Sequence, residues 1–142
     1  MPVSQDQETG FNWSLSAEPK GLAGWREVAR RSVRHLGGDE RAEQLAALVV
    51  SELLTNVIRH VEDPRCGLTI ERDEDHVLIG VRDRSPQLPR VGDPDADDEC
   101  ESGRGLRLLL GHGCALDFGR TPEGNRVRAT FLLVASAGEG DG

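Results

Sequence analysis

The sequence has no long hydrophobic run and no recognisable export signal. No apolar stretch approaches the roughly 20 residues that a membrane-spanning helix needs. Residues 1–10 are polar and lack the basic and apolar regions of a signal peptide. We therefore expect a protein that stays in the cytoplasm and does not bind the membrane.

Cysteine is also scarce. Cys66, Cys100 and Cys114 are widely spaced, odd in number and form no CxxC pair. This pattern indicates neither a zinc site nor a disulfide framework. Three reduced thiols in a cytosolic protein are the expected state.

Basic residues are outnumbered, since 17 lysines and arginines face 25 aspartates and glutamates and leave a net charge of -8. Such a balance argues against direct binding to nucleic acid or to an anionic membrane surface, and it leaves a protein partner open. Much of the negative charge lies within residues 93–101.

The length of 142 residues fits one domain, which we predict over residues 11–134 between flexible tails at 1–10 and 135–142. The hydrophobic pattern predicts helices at 22–36, 40–61 and 106–110, and strands at 11–15, 67–72, 77–83, 115–119 and 126–134. This order predicts an α+β two-layer sandwich with helices on one face of a mixed, mostly antiparallel sheet.

The second predicted helix is apolar almost all round, apart from a narrow polar stripe. Glu52, Asn56 and Arg59 fall at positions i, i+4 and i+7 and share a face. The stripe is either the solvated side of the helix or a ligand site. A ligand that brings a metal ion and phosphates would satisfy all three groups, because Mg²⁺ prefers hard oxygen ligands such as an amide carbonyl.

An aspartate ends the strand predicted at 77–83. Asp83 has the same parity as Val77, Ile79 and Val81 and so faces the same side as three core residues. It either caps the following turn or accepts a hydrogen bond from an exocyclic amino group such as that of adenine.

A glycine-framed turn follows the long aperiodic segment. Gly103, Arg104, Gly105 and Leu106 precede the short predicted helix. Glycine lets the backbone approach a phosphate, and a helix N-terminus offers free N–H groups to an anion. A GxG alone is weak evidence, but a turn in this position would suit a loop that closes over phosphates.

Three motifs in this order resemble the GHKL ATP-binding fold, which includes histidine kinases, gyrase-type ATPases and Hsp90-type chaperones. They are ELLTN at residues 52–56, DRSP at 83–86 and GRGL at 103–106. The resemblance implies that Asn56 holds Mg²⁺, that Glu52 is the general base activating the attacking hydroxyl, and that Asp83 binds the adenine amino group. Arg59 lies where some relatives place a basic phosphate contact.

The resemblance also implies that Gly103, Arg104, Gly105 and Leu106 form the turn on the phosphate side of the nucleotide. The family's usual glycine-rich motif after the aspartate is replaced by Ser85 and a proline, and Ser85 is retained as a nucleotide-binding residue. The last hairpin reads GNR at residues 124–126, where Gly-Thr or Gly-Lys is common, so no role carries over to it.

The strongest similarity is to the small stand-alone bacterial branch, the anti-sigma-factor serine kinases. It implies ATP and Mg²⁺ as cofactors, a STAS-type anti-anti-sigma protein as the phosphorylated partner, a sequestered sigma factor and a homodimer. A non-catalytic, ATP-dependent regulator is the alternative that the acidic stretch at 93–101 favours. A detached histidine-kinase catalytic domain is less favoured, because no helix pair with a phosphoacceptor histidine precedes the domain.

The first predicted helix carries a basic set: Arg26, Arg30, Arg31 and Arg34. This set suits either an acidic partner or an ordinary solvated helix face.

Overall fold

The structure, a computed structural model, describes residues 9–85 and 113–134. Within these residues the α-helices are α1 (Leu22–Leu36) and α2 (Glu40–His60), and the strands are β1 (Gly10–Ser16), β2 (Arg65–Asp73), β3 (His76–Asp83), β4 (Ala115–Arg120) and β5 (Asn125–Leu132). The corresponding predictions are confirmed to within two residues at each end. The short helix predicted at 106–110 lies outside the described residues.

The strands form one sheet in the order β1-β2-β3-β5-β4. Each neighbouring pair among the described strands is antiparallel. Both helices pack on the same sheet, α1 against β2 and α2 against β3 and β5. The predicted α+β two-layer sandwich is therefore confirmed, and the part of its sheet that the structure describes is wholly antiparallel.

The turn between the helices fixes the position of α2. Gly37 ends α1 with φ 104°, in the left-handed region that favours glycine. Asp39 then caps α2, because its side-chain Oδ1 accepts a 2.8 Å hydrogen bond from the Ala42 N–H. These two caps set where α2 begins, and so which of its side chains face the sheet.

Strand alternation separates an apolar face from a polar one. The residues facing the helices are buried and form the core with both helices; on the two central strands they include Val77, Ile79, Val81, Val127, Ala129 and Phe131. The residues between them face the other side, which we call the outer face; there they include Gly80, Arg82, Arg126 and Arg128. Among the described helices, none is long and apolar enough to cross a membrane.

Candidate functional site

The polar stripe of α2 interrupts a helix that is otherwise largely buried. Glu52 is half-buried, Asn56 is only 7% exposed and Arg59 is exposed. The stripe is therefore not simply a solvated helix face, because its central residue is in the protein interior. This arrangement places a carboxylate one helical turn from a buried amide.

Asn56 carries a buried oxygen with no partner. Its Oδ1 accepts no hydrogen bond from any described residue. Leaving such an atom unpaired costs about 1–3 kcal/mol. An amide oxygen is one of the hard ligands that Mg²⁺ accepts, and Mg²⁺ bound with a nucleotide usually takes few protein ligands and keeps several waters. Asn56 therefore fits a magnesium–nucleotide ligand.

Other protein ligands for a metal are few here. Within residues 9–85 and 113–134, no group of three or more histidine, cysteine, aspartate or glutamate side chains could hold an ion. A cage made only of protein groups is thus absent from the described part of the chain.

Glu52 is the carboxylate of the stripe and lies one helical turn before Asn56. Its partial burial raises the pKa of the carboxyl, and the positive charge of Arg59 lowers that pKa in part. The side chain makes no hydrogen bond to a described residue. A carboxylate whose pKa is raised, and whose oxygens bond to no described residue, is a better proton acceptor than an ordinary glutamate.

Asp83 ends β3 on the side that faces the helices, as its parity predicts. It is 5% exposed, and its Oδ1 accepts a 2.8 Å hydrogen bond from the Ser85 N–H. Burial raises the pKa of this carboxyl, while hydrogen bonds from the backbone of Ser85 and Asn125 lower it in part. Asp83 therefore does cap the following turn, and these hydrogen bonds also fix the carboxylate in one orientation.

Two residues to which sequence reasoning gave no role complete this strand end. Asn125 is fully buried, stands opposite Asp83 in the β3–β5 register, and donates from Nδ2 to the Ser85 carbonyl oxygen at 3.3 Å. Arg120 donates to Asn125 Oδ1 at 3.2 Å. Asn125 thus joins the last hairpin to the Asp83 turn.

Gly124 lies directly against the backbone of the same turn. A Cβ atom added to it would lie 2.2 Å from the Asp83 carbonyl oxygen and 2.7 Å from the Arg84 Cα. Only glycine permits this approach. The available sequence signal was the turn composition of residues 121–125, which predicts a hairpin but not the strand end on which it packs.

A cavity of about 480 Å³ opens at this end of the sheet. Asp83, Arg84, Cys66 and Arg65 are among the residues in its wall. The Cys66 thiol is buried beside the carboxylate, and burial together with the negative charge of Asp83 raises its pKa to about 11. The Cys66 thiol is therefore neutral at physiological pH.

The structure thus places the candidate residues in two groups. Glu52, Asn56 and Arg59 lie along α2, and Asp83 and Ser85 lie at the end of β3, the strand on which α2 packs. The turn formed by Gly103, Arg104, Gly105 and Leu106 lies outside the described residues, so its contact with phosphates stays a prediction.

Two helices on one face of an antiparallel sheet, with these polar groups on the helix side, form an α+β sandwich of the ATPase type. The family model for the histidine kinase-like ATPase domain matches residues 15–131, and the chain belongs to this family. Membership implies ATP binding, and the resemblance to the GHKL fold is confirmed at this level. A comparison with curated proteins found no match.

Proposed function

We propose that this chain is an ATP-binding regulatory serine/threonine protein kinase of the anti-sigma-factor type. In this proposal it phosphorylates a serine of a STAS-type anti-anti-sigma protein and sequesters a sigma factor. The supporting observation is the pairing of the half-buried Glu52 carboxyl with the unpaired, buried Oδ1 of Asn56 on one face of α2. A carboxyl of raised pKa beside a candidate metal ligand is suited to activate a hydroxyl for transfer.

The proposed transfer needs little covalent chemistry from the protein. The serine hydroxyl of the partner gives its proton to Glu52, and its oxygen forms a bond to the γ-phosphorus of ATP. The bond between that phosphorus and the β–γ bridging oxygen breaks, and ADP leaves. Asn56 would hold Mg²⁺, which neutralises phosphate charge when it is bound.

Asp83 would orient the nucleotide from the opposite end by accepting from the adenine amino group. The backbone N–H of Ser85 already holds Asp83 Oδ1, so the carboxylate is fixed before ATP arrives. Arg59 would contact a phosphate from the exposed end of the stripe. In this proposal, recognition of the base and activation of the hydroxyl are separate tasks of β3 and α2.

The test is Glu52→Gln, which keeps the shape of the side chain and removes its basicity. We expect ATP binding within about twofold of the wild type and a loss of transfer of about 100-fold or more. Transfer is measured as labelled phosphate on STAS-type proteins of the source cell, and binding as a thermal shift with ATP and Mg²⁺. Because the pKa of Glu52 is raised, the wild-type rate should increase with pH through a limb above the usual glutamate range and then level off.

Glu62→Gln is the matched control, since Glu62 is exposed just beyond the end of α2. It should transfer like the wild type. If the wild type binds ATP but labels no STAS-type protein, the kinase proposal is wrong and the chain is a non-catalytic, ATP-dependent regulator. If Glu52→Gln transfers at the wild-type rate, Glu52 is not the base.

A further inference from the structure

Three arginines on the outer face each stand directly opposite a glycine on the neighbouring strand. The pairs are Arg82 with Gly67, Arg128 with Gly80 and Arg126 with Gly119. A Cβ added to Gly67 would lie 3.1 Å from Arg82 Nη2, and one added to Gly119 would lie 3.2 Å from Arg126 Nη2. Because these glycines have no side chain, the guanidinium groups have room to lie close to the sheet.

The described residues offer these three arginines fewer hydrogen-bond acceptors than their guanidinium groups have donors. Arg82 and Arg126 stand opposite each other in the β3–β5 register, and like charges in that position are destabilising. The Nη2 atoms of Arg126 and Arg128 share one oxygen, Asp117 Oδ2, at 3.2 and 3.0 Å. The Nε atoms of both are buried without an acceptor. Arg82 makes no hydrogen bond or ion pair with any described residue.

The arginines of α1 are arranged differently. Arg30 and Arg31 both bond to Glu27, and Arg34 makes two bonds to Glu43 at 3.2 and 2.9 Å. The basic set predicted on this helix is therefore largely neutralised within the helix layer. Among the described residues, this set on α1 therefore differs from the outer face, where guanidinium donors are left unmet.

Two depressions meet at Arg82. One, of about 190 Å³, is lined by residues that include Thr69, Gly80, Arg126 and Arg128. The other is the 480 Å³ cavity at the strand end, and Arg82 lines both. None of the described helices packs on this side of the sheet, because α1 and α2 cover the opposite face. Together the two depressions present more than one guanidinium group, which suits an extended segment with several carboxylates better than a single small anion.

We propose that the outer face is a docking surface for an acidic peptide segment of a protein partner, whose carboxylates pair with Arg82, Arg126 and Arg128. The guanidinium fork matches a carboxylate in a two-bond geometry, and such charge-assisted bonds are among the strongest at interfaces. The net charge of -8 disfavours nucleic acid as the occupant. The surface lies on the side of the sheet opposite Glu52 and Asn56, and at Arg82 it adjoins the cavity that Asp83 also lines.

The probe is a fluorescein-labelled oligoglutamate peptide, with an oligoglutamine peptide as the neutral control. We expect the full chain to bind the first and not the second by fluorescence anisotropy, more weakly as salt rises. Arg82→Gln should weaken binding by about tenfold, the loss of one charge-assisted contact. Arg31→Gln, which removes an exposed arginine already paired with Glu27, should bind like the wild type.

Weaker binding by Arg82→Gln is not expected to come from loss of the fold, because Arg82 is exposed and its removal relieves a like-charge pair. A melting temperature at or above the wild-type value would confirm this, and the Nε–Hε resonances of Arg126 and Arg128 should still shift with the peptide. Equal peptide binding by Arg82→Gln and the wild type would overturn the proposal. Tighter binding of single-stranded DNA than of oligoglutamate, or self-association that Arg82→Gln abolishes without any peptide binding, would also overturn it.

Discussion

The two groups of candidate residues differ in whether their polar atoms have hydrogen-bond partners within the described chain. At the strand end, the Asp83 carboxylate accepts hydrogen bonds from the backbone of Ser85 and Asn125, and Gly124 packs against the same turn. On the α2 stripe, Asn56 Oδ1 is buried with no partner among the described residues, and Glu52 makes no hydrogen bond to them. Within the described part of the chain, the strand-end group already has hydrogen-bond partners, and the stripe does not.

The difference indicates how each group contributes to binding. A carboxylate held by the fold costs little to organise when a ligand arrives, so under the proposed function the strand end would supply selectivity for the base. A buried oxygen with no partner among the described residues costs about 1–3 kcal/mol, and under the proposed function Mg²⁺ would relieve this cost. Substitutions at the strand end should therefore damage the fold together with binding, and substitutions on the stripe should damage ligand-dependent properties alone.

The largest effect is expected at Gly124. In Gly124→Ala the new Cβ would meet the Asp83 carbonyl oxygen and the Arg84 Cα at distances that force backbone movement. We expect a loss of about 3 kcal/mol or more in the free energy of unfolding, the upper range for overpacking. Urea denaturation measures this, and ATP binding measured on the remaining folded protein should also weaken because the Asp83 turn shifts.

Gly24→Ala is the matched control, since a Cβ there meets nothing within 4 Å and the residue lies in α1. It should leave stability unchanged or raise it by about 0.5–1 kcal/mol, the usual gain for replacing glycine in a helix. If Gly124→Ala were as stable as Gly24→Ala, the close approach of the hairpin to the Asp83 turn would be wrong.

The second effect is expected at Asp83. Asp83→Asn leaves one oxygen for the backbone N–H groups of Ser85 and Asn125 and replaces the other with a donor, which opposes the adenine amino group. We expect about tenfold or greater loss of ATP affinity, with a smaller loss for inosine triphosphate, which lacks that amino group. Isothermal titration calorimetry with both nucleotides measures the ratio.

Asp73→Asn serves as its control, because Asp73 is an exposed carboxylate at the end of β2, at the opposite end of the sheet. It should leave both affinities unchanged. Should Asp83→Asn keep the wild-type preference for ATP over inosine triphosphate, Asp83 would be only the cap of its turn, the simpler of the two interpretations that its sequence position allows.

Much of this site could be predicted from the sequence where the signal is local. The spacing of Glu52, Asn56 and Arg59 follows from helical periodicity, and the inward side of Asp83 follows from strand parity. Both depend only on neighbours along the chain, and both were found as predicted. The cap at Asp39 is local in the same sense, because a side chain bonds to an N–H three residues away.

Features set by strand register were not predicted. Gly124 and Asn125 meet Asp83 and Ser85 across a sheet, about 40 residues apart in the chain, and no local pattern specifies that pairing. The arginine–glycine pairs of the outer face are hidden for the same reason. On α1 the sequence left two interpretations open, and the ion pairs with Glu27 and Glu43 favour the ordinary solvated face.

The smallest effect on the fold, and the most specific one on the ligand, is expected at Asn56. Asn56→Ala removes a buried oxygen that has no partner and adds a better helix former, so unfolding without ligand should stay within about 1 kcal/mol of the wild type. Thermal shifts with ATP should then be the same with Mg²⁺ and with EDTA, whereas the wild type should need Mg²⁺ for its full shift.

Gln44→Ala, which removes an exposed amide on the same helix, should keep the magnesium dependence. A magnesium-dependent shift that survives in Asn56→Ala would exclude Asn56 as the ligand, and a large loss of stability without nucleotide would show that its amide supports the fold instead.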